Sequence, residues 1–436
     1  MSQSARLADY RTALTTPAAR GPVIAAAVAR FPIAMVGLSL LLYVQRTTGS
    51  FAVAGAVSAA GLVGLAVGSV VQGRLMDRLG PSRPIIVAAA LFGLVVAATV
   101  VAVEARAAEP VLLALAFAEG LTEPMVGSAS RAMWSRVLPP GPARHAAYAY
   151  EAISMEVFFV LGPAASGLLL TAPWPGTGVV VGAAGMAAGS LVFALTGTVR
   201  SWRGSTERDR AAAQGEHRGG GRGLLGALAG AGIRTVALAA LGMGAVIGFI
   251  EVAVPAAATR AGQPAAGGLL LSLWSVTSVL AGVLYGRRPW PRPLHLRLPA
   301  LLAAFAALVL LLAAPTTLTG LAVAMLLAGT MIAPQTTTHS AALEQVAPAG
   351  TMAEAFGWVI TAIMLGLAAG QSLAGQIVER FGPPWALLAA AACGLLVAGA
   401  VWLARHTVAA GAGSAGAGRS RSAPGFRRGS RLASRS

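Results

Sequence analysis

The sequence contains no lysine, a single cysteine and few charged residues, which make up 11% of the chain. A soluble domain carries about 25% charged residues. Because 56% of this chain is hydrophobic, polar groups cannot cover its surface in water, and we predict that its solvent is lipid. The lone Cys393 excludes an intramolecular disulfide and a zinc site built from cysteines.

The signatures of soluble enzymes are also missing. The sequence has no Gly-Lys-Ser/Thr loop to cradle phosphates, so we do not expect ATP hydrolysis in this chain. Its five histidines are scattered, and none is paired at the spacing of metal ligands. We therefore predict a protein that is not an enzyme and that uses neither a metal nor a cofactor.

Apolar runs of about twenty residues, the length at which a helix crosses a bilayer, recur along the chain. None of them alternates apolar and polar residues as the strands of a membrane barrel do. We predict an all-α integral membrane protein with twelve spans, at residues 22–45, 51–72, 84–103, 111–137, 146–171, 177–198, 232–257, 267–286, 298–314, 317–346, 352–378 and 384–404.

The arginines are placed asymmetrically along this pattern. Twenty-five of the 32 fall at the two termini and in the loops on their side of the membrane, and four fall in the loops on the other side. Arginine-rich loops stay in the cytoplasm, so we predict cytoplasmic termini in the inner (plasma) membrane. A net charge of +17 could indicate nucleic-acid binding, but arginines confined to loops and a tail between spans favour topology over such a partner.

The longest polar loop, residues 200–223, separates six spans from six. It is rich in glycine and arginine and is typical of a flexible linker between two helical bundles. The basic C-terminal tail lacks apolar periodicity and is predicted to be disordered. The expected division of this monomer is a cytoplasmic N-terminal tail, a bundle, a linker, a second bundle and the tail, at residues 1–21, 22–198, 199–231, 232–404 and 405–436.

Ionisable residues inside the spans are costly and therefore mark cavities or partners. They concentrate in the first span of each consecutive triplet, which favours four three-helix repeats around a polar path. Glu123, Glu156 and Arg30 lie at similar depth near the middle of their spans, and Glu119 shares a helix face with Glu123. We predict that these residues couple transport to protons. The alternative is a static ion pair that ties helices together.

Other polar residues in the spans have separate interpretations. Arg131 and Glu151 lie near the same ends of adjacent spans and are predicted to form a structural pair. Met331, Gln335 and His339 follow at intervals of four on one face of span 10, so they could line a substrate path or simply pack. Glu251, near the end of span 7, is a further candidate for the substrate path.

The stretch between spans 2 and 3, GRLMDRLGPSRP, resembles the loop signature G-x-L-a-D-R-x-G-R-K/R of the major facilitator superfamily. The matching residues are Gly73, Leu75, Asp77, Arg78, Gly80 and Arg83. The resemblance implies the major facilitator fold, with two pseudo-symmetric six-helix bundles. It also implies a gating loop, in which Asp77 would contact the N-terminus of span 11 near Met352. The alternative is that these arginines only set the topology.

Span 5 contains Gly162, Pro163 and Gly167, which resemble the Gly-Pro-x-x-Gly-Gly element of proton-coupled exporters in that family. Span 4 departs from the exporters' R-x-x-Q-G pattern, because Ala116 stands at the arginine position and Glu119 at the glutamine position. This departure moves the expected coupling role to Arg30 and the span-4 glutamates.

A shift of 209 positions aligns the loop 73–84 with residues 282–293, as expected of a duplicated six-span unit. Asp77 then meets Gly286, which suggests a gate that is asymmetric between the halves. From these patterns we predict a secondary transporter that exports a small, hydrophobic or drug-like molecule in exchange for protons. An uptake symporter or uniporter on the same fold and a non-transporting receptor or scaffold are the alternatives.

Overall fold

A computed structural model describes residues 7–202, 226–287, 292–347 and 352–409, and within these ranges every regular element is a helix. Twelve helical segments are long and apolar enough to cross a membrane, which confirms the predicted spans. They are Pro17–Thr48, Phe51–Leu79, Ser82–Glu104, Glu109–Val137, Pro142–Leu169, Thr177–Leu195, Ala231–Arg260, Ala266–Tyr285, Leu294–Ala313, Leu318–Val346, Ala355–Arg380 and Pro383–Leu403.

Short connections join the spans, and local signals set their ends. Ser50 is the N-cap of span 2 and accepts a hydrogen bond from the Val53 amide at 3.2 Å. Proline occupies the first turn of spans 1, 4, 5 and 12, where its missing N–H costs nothing. Gly49 and Gly80 turn the chain at φ of 74° and 78°, which side chains with a Cβ rarely adopt.

Three spans are broken near their middle instead of running as one helix. Each break leaves backbone groups unpaired within the helix, so it needs side-chain partners or a polar surrounding. The breaks lie at residues 31–32 of span 1, 123–125 of span 4 and 330–331 of span 10.

Two ends of the molecule can be distinguished by the path of the chain. We call the end where span 1 begins and span 12 ends the tail face, and the opposite end the far face. At the far face, span 2 packs on span 11 and span 5 packs on span 8, so the two halves of the chain meet there. A Cβ on Gly55 would overlap the Gln371 carbonyl, and one on Gly268 would overlap that of Pro163. The two bundles are therefore closed together at the far face.

The chain ends differ from the expected tails. A short helix, Leu7–Thr15, packs against span 5, and span 1 already begins at Pro17. At the other end, residues 405–409 continue as helix instead of starting a disordered tail. Thr407 bonds the Thr235 hydroxyl at 2.8 Å, and Val408 is buried. The predicted linker at 203–225 and the tail beyond 409 lie outside the described residues.

Candidate transport site

Arg30 and Glu151 form a buried ion pair between spans 1 and 5, with 3% and 1% of their surfaces exposed. The Arg30 guanidinium binds the Glu151 carboxylate through Nη1 and donates to the Glu151 backbone carbonyl through Nη2 at 3.2 Å. Its face also lies over the Phe158 ring, 5.8 Å from the centroid. Arg30 therefore binds Glu151, and neither Glu123 nor Glu156 is its partner.

Span 4 completes the surroundings of Glu151. The Ser130 hydroxyl and the Trp134 indole donate to Glu151 Oε1 at 2.7 and 2.9 Å, from positions one turn apart on one helix face. Arg131 is exposed, so the predicted Arg131–Glu151 pair is replaced by Arg30–Glu151. Both carboxylate oxygens are occupied, and the cluster ties spans 1, 4 and 5 together.

The break in span 4 is closed by a side chain from span 2. The first helix of the span ends at Thr122, and Pro124 follows Glu123. Gln72 Nε2 donates to the carbonyls of Leu121 and Glu123 at 3.1 and 2.8 Å, and Gln72 Oε1 accepts from the Met125 amide at 3.2 Å. One amide side chain thus satisfies three backbone groups that the break exposes.

Glu119 and Glu123 flank the last turn before this break. Glu119 is buried, and its Oε2 has no hydrogen-bond partner among the described residues. The Thr99 side chain of span 3 approaches the Glu119 carboxyl. Arg30, the buried arginine of this bundle, is already bound to Glu151. The structure thus brings together two of the predicted coupling carboxylates and leaves them without a bound cation.

The other predicted carboxylates lie apart from this pair. Glu156 is exposed on span 5 and has no hydrogen bond or ion pair among the described residues. Glu251 of span 7 accepts a 2.7 Å hydrogen bond from Gln371 Nε2 of span 11. Gln371 is buried, and its Oε1 has no partner. Glu251 therefore belongs to the region where the two halves meet near the far face.

The polar stripe of span 10 is buried just after the break at 330–331. Gln335 is fully buried, and neither its amide nitrogen nor its amide oxygen has a partner. His339 Nδ1 lies 2.8 Å from the Gln335 backbone carbonyl, and the backbone of Ala239 in span 7 also approaches the ring. Met331 is half-buried at the break. Unpaired donors and acceptors in an apolar bundle suit a polar ligand group or water.

Sequence reasoning missed the polar chain next to this stripe. Arg297 of span 9 donates to the Tyr285 hydroxyl at 3.0 Å, and that hydroxyl bonds Thr338 at 2.8 Å. Thr338 and His339 are neighbours in span 10, so the chain links the stripe to an arginine near the tail face. The signal was available, because Thr338 continues the run of polar residues 335–340.

The predicted gating loop lies at the tail face, but residues 73–79 continue span 2 as helix and only residues 80–81 form the turn to span 3. Asp77 and Arg78 are exposed, and Asp77 has no hydrogen bond or ion pair in the part of the chain described. Gly80 permits the turn, and the Ser82 hydroxyl donates to the Ala194 carbonyl of span 6 at 2.9 Å. Residues 348–351, which precede span 11, are outside the described ranges, so the contact of Asp77 near Met352 stays a prediction.

The Gly-Pro element of span 5 serves two helix contacts. A Cβ on Gly162 would lie 3.0 Å from the Ala34 side chain in span 1. Gly167 and the Pro163 carbonyl pack against Gly268 in span 8, with no room for side chains between the backbones. The element therefore joins the two halves at the far face, through the close packing that small residues permit.

Twelve spans in two halves, broken helices and buried polar side chains are the features of a membrane transporter. The Major Facilitator Superfamily family model matches residues 23–357. The chain therefore belongs to this superfamily, as the resemblance of residues 73–84 predicted. No curated protein matches the sequence.

Solved structures with the same fold are distant in sequence. A single-residue mutant of the nucleoside transporter NupG aligns with a TM-score of 0.68 at 12% identity, covering 88% of this chain and 99% of that one. A bacterial homologue of the human lysosomal transporter Spinster, inward-facing and unoccupied, aligns with a TM-score of 0.66 at 14% identity. The alignment covers 91% of this chain and 99% of that one. A D-xylose-proton symporter aligns with a TM-score of 0.63 at 15% identity, covering 90% of this chain and 97% of that one. These similarities establish the fold.

Proposed function

We propose that this protein is a proton-coupled secondary transporter that exports a small, hydrophobic or drug-like molecule by alternating access. The observation that carries the proposal is the buried Glu119, which has an unpaired carboxylate oxygen and lies one turn from Glu123 at the break of span 4. In this proposal the termini are cytoplasmic, so the far face is outside the cell.

The proton assignment rests on the cost of burying charge. A carboxylate outside water is costly as an anion unless it is paired, whereas a protonated carboxyl is neutral. Glu151 has Arg30, Ser130 and Trp134 as partners, and Glu119 has no cation. We therefore assign the exchangeable proton to Glu119 and Glu123. Glu156, which is exposed, is the second candidate.

The C-terminal half supplies the candidate substrate groups. Gln335 offers a buried donor and acceptor that have no partner among the described residues, and the buried His339 ring lies one turn further along the span. Their apolar surroundings favour a substrate that is mainly hydrophobic and carries a few polar atoms. Met331 at the break would adapt its flexible side chain to such a molecule.

Two features of the chain bear on the direction of transport. Export is favoured by the Gly-Pro element, which lies at the far-face contact between the halves. A second candidate, proton-coupled uptake, is favoured by Ala116 at the position where exporters of the family carry arginine. Among the structural relatives is a D-xylose-proton symporter, and its likeness bears on the fold alone.

Everted membrane vesicles test the proposal. A thermal-shift screen of the purified protein at two pH values supplies a ligand, and a pH-sensitive dye then follows proton movement when that ligand is added. We expect the ligand to dissipate an acidic-inside gradient. We expect Glu119→Gln and Glu123→Gln to abolish this response, and Glu109→Gln, an exposed far-face control, to retain it.

Each other outcome has a defined meaning. Proton movement in the same direction as the ligand would establish the uptake symporter. Ligand binding without any ligand flux would establish the receptor alternative. Full proton-linked transport in both the Glu119→Gln and Glu123→Gln variants would overturn the coupling assignment.

A further inference from the structure

Span 2 begins at the far face, where a carboxylate from the other half of the molecule caps it. Glu379, the penultimate residue of span 11, accepts from the Phe51 amide at 2.8 Å and from the Ala52 amide at 3.4 Å. The Ser50 hydroxyl donates to the same oxygen at 3.3 Å. The first N–H groups of a helix lack partners within it and attract negative charge, so these bonds stabilise both the helix end and the contact.

The backbones of the two halves also pack closely at the same contact. Gly55 faces the Gln371 carbonyl, and Gly375 faces the Phe51 carbonyl, so that a Cβ on either glycine would overlap backbone. Glu379 lies one turn beyond Gly375 on the same span. Its bonds to span 2 can form only while the two spans touch, and they are lost when the halves separate at this end.

The opposite ends of these two spans are arranged differently. Spans 2 and 11 run antiparallel. Their helices, Phe51–Leu79 and Met352–Arg380, each have 29 residues and an acidic residue within the last three positions. Glu379 of span 11 is bound to the start of span 2, whereas Asp77 of span 2 is exposed at the tail face without a partner among the described residues. In this conformation, Glu379 at the far face is therefore bound to the neighbouring helix, whereas Asp77 at the tail face is exposed to solvent.

The contact of spans 2 and 11 at the far face is called the far gate here. We propose that Glu379 is a positioning residue of this gate, and that its cap on span 2 stabilises the state in which the halves are closed at the far face. The inference rests on alternating access in the proposed function but on neither the proton assignment nor the direction. Glu379 touches neither substrate nor proton; it acts by favouring one of two conformations.

Distance measurement between spin labels tests the inference without any transport assay. Cys393→Ser removes the native thiol, and Ala105→Cys and Gln263→Cys place labels on the far face of the two halves. In bilayer discs at fixed pH, we expect Glu379→Ala to lower the ratio of far-closed to far-open populations about fivefold, the effect of losing one helix cap. Glu379→Asp should restore part of the ratio, because it keeps the carboxylate.

Glu109→Ala is the matched control. It removes the same charge from the same face, but Glu109 lies in the first turn of span 4 and is exposed. A distance distribution that is equally unchanged in Glu379→Ala and Glu109→Ala would overturn the gate role, even if Glu379→Ala lowers thermal stability. An unfolded Glu379→Ala sample would shift the test to Glu379→Asp and Glu379→Gln, and wild-type distances in both would also overturn it. Failure of proton coupling alone would leave these distances unaffected.

Discussion

At the residue scale, the two sets of buried carboxylates in the N-terminal half have opposite surroundings. Glu151 is bound through both oxygens to Arg30, Ser130 and Trp134. Glu119 has an oxygen without any partner. The first arrangement resists change because both carboxylate oxygens and the donors that bind them would lose bonds. The second leaves a carboxylate oxygen free to bind a proton, so its partners distinguish the structural Glu151 from Glu119, the proposed coupling residue.

Removing the Glu151 side chain should destabilise the protein strongly. Glu151→Ala leaves Arg30 as an unpaired buried charge, which costs about 3–5 kcal/mol. The midpoint of thermal unfolding in detergent should fall well below that of the wild type. The double variant Arg30→Met/Glu151→Met should recover much of this loss, because it removes both charges. Recovery should be incomplete, since Ser130 and Trp134 still lose their acceptor.

A double variant that is less stable than Glu151→Ala would contradict this account. The ion pair would then contribute more than the burial of either charge costs. The control is Arg131→Met, one residue along span 4 from Ser130. Arg131 is exposed, so its replacement should change the midpoint little.

At the scale of the element, the sequence predicts the spans better than it predicts their interruptions. Length and hydropathy locate all twelve helices, since lipid allows no unsatisfied backbone in a span. The break in span 4 has a local cause, because Pro124 disfavours helix at Glu123. The partner that makes the break tolerable, Gln72, could not be read from span 4, since it comes from span 2 through tertiary packing.

The same limit explains the incorrect pairing of Glu151. The distance of each residue from the middle of its span suggests that Arg30 lies near Glu156. That distance does not indicate which faces of two helices are in contact. Glu151 lies on the face of span 5 that packs inward, and Glu156 lies on an exposed face. Helix contacts therefore selected a partner about one and a half turns from the one that depth favours.

Gln72→Leu should loosen the break in span 4. The change keeps the size of the side chain but removes the partners of the Leu121 and Glu123 carbonyls and of the Met125 amide. Each buried group left unpaired costs about 1–3 kcal/mol. We expect a lower unfolding midpoint and faster hydrogen exchange at Met125. Gln45→Leu, at the far end of span 1, is the control and should leave exchange at Met125 unchanged.

If exchange at Met125 stays at the wild-type rate in Gln72→Leu, then water or another group closes the break, and Gln72 is dispensable there. Proton-linked transport gives a second readout. The break positions Glu123 relative to Glu119, so a loosened break should weaken coupling before it weakens ligand binding.

At the scale of the whole molecule, the two halves are held together at the far face by backbone contacts that only glycine permits. Spans 2 and 11 meet at Gly55 and Gly375, and spans 5 and 8 meet at Gly167 and Gly268. Such contacts give close packing without hydrogen bonds between side chains. In the proposed alternating-access mechanism, these contacts would separate and reform as a unit.

Side chains at these glycines should hold the halves apart at the far face. Gly55→Val and Gly268→Val each place methyl groups where a backbone carbonyl of the other half now lies. We expect the spin-label distance between Ala105→Cys and Gln263→Cys to lengthen in both variants, with helical content unchanged. Gly93→Val is the control, because a Cβ on Gly93 meets nothing within 4 Å.

Because Gly55 lies beside the Glu379 cap and Gly268 does not, only Gly55→Val should abolish the further effect of Glu379→Ala. If Glu379→Ala changes the spin-label distance by the same amount in the Gly55→Val and Gly268→Val backgrounds, then the cap and the packing of span 2 on span 11 act independently.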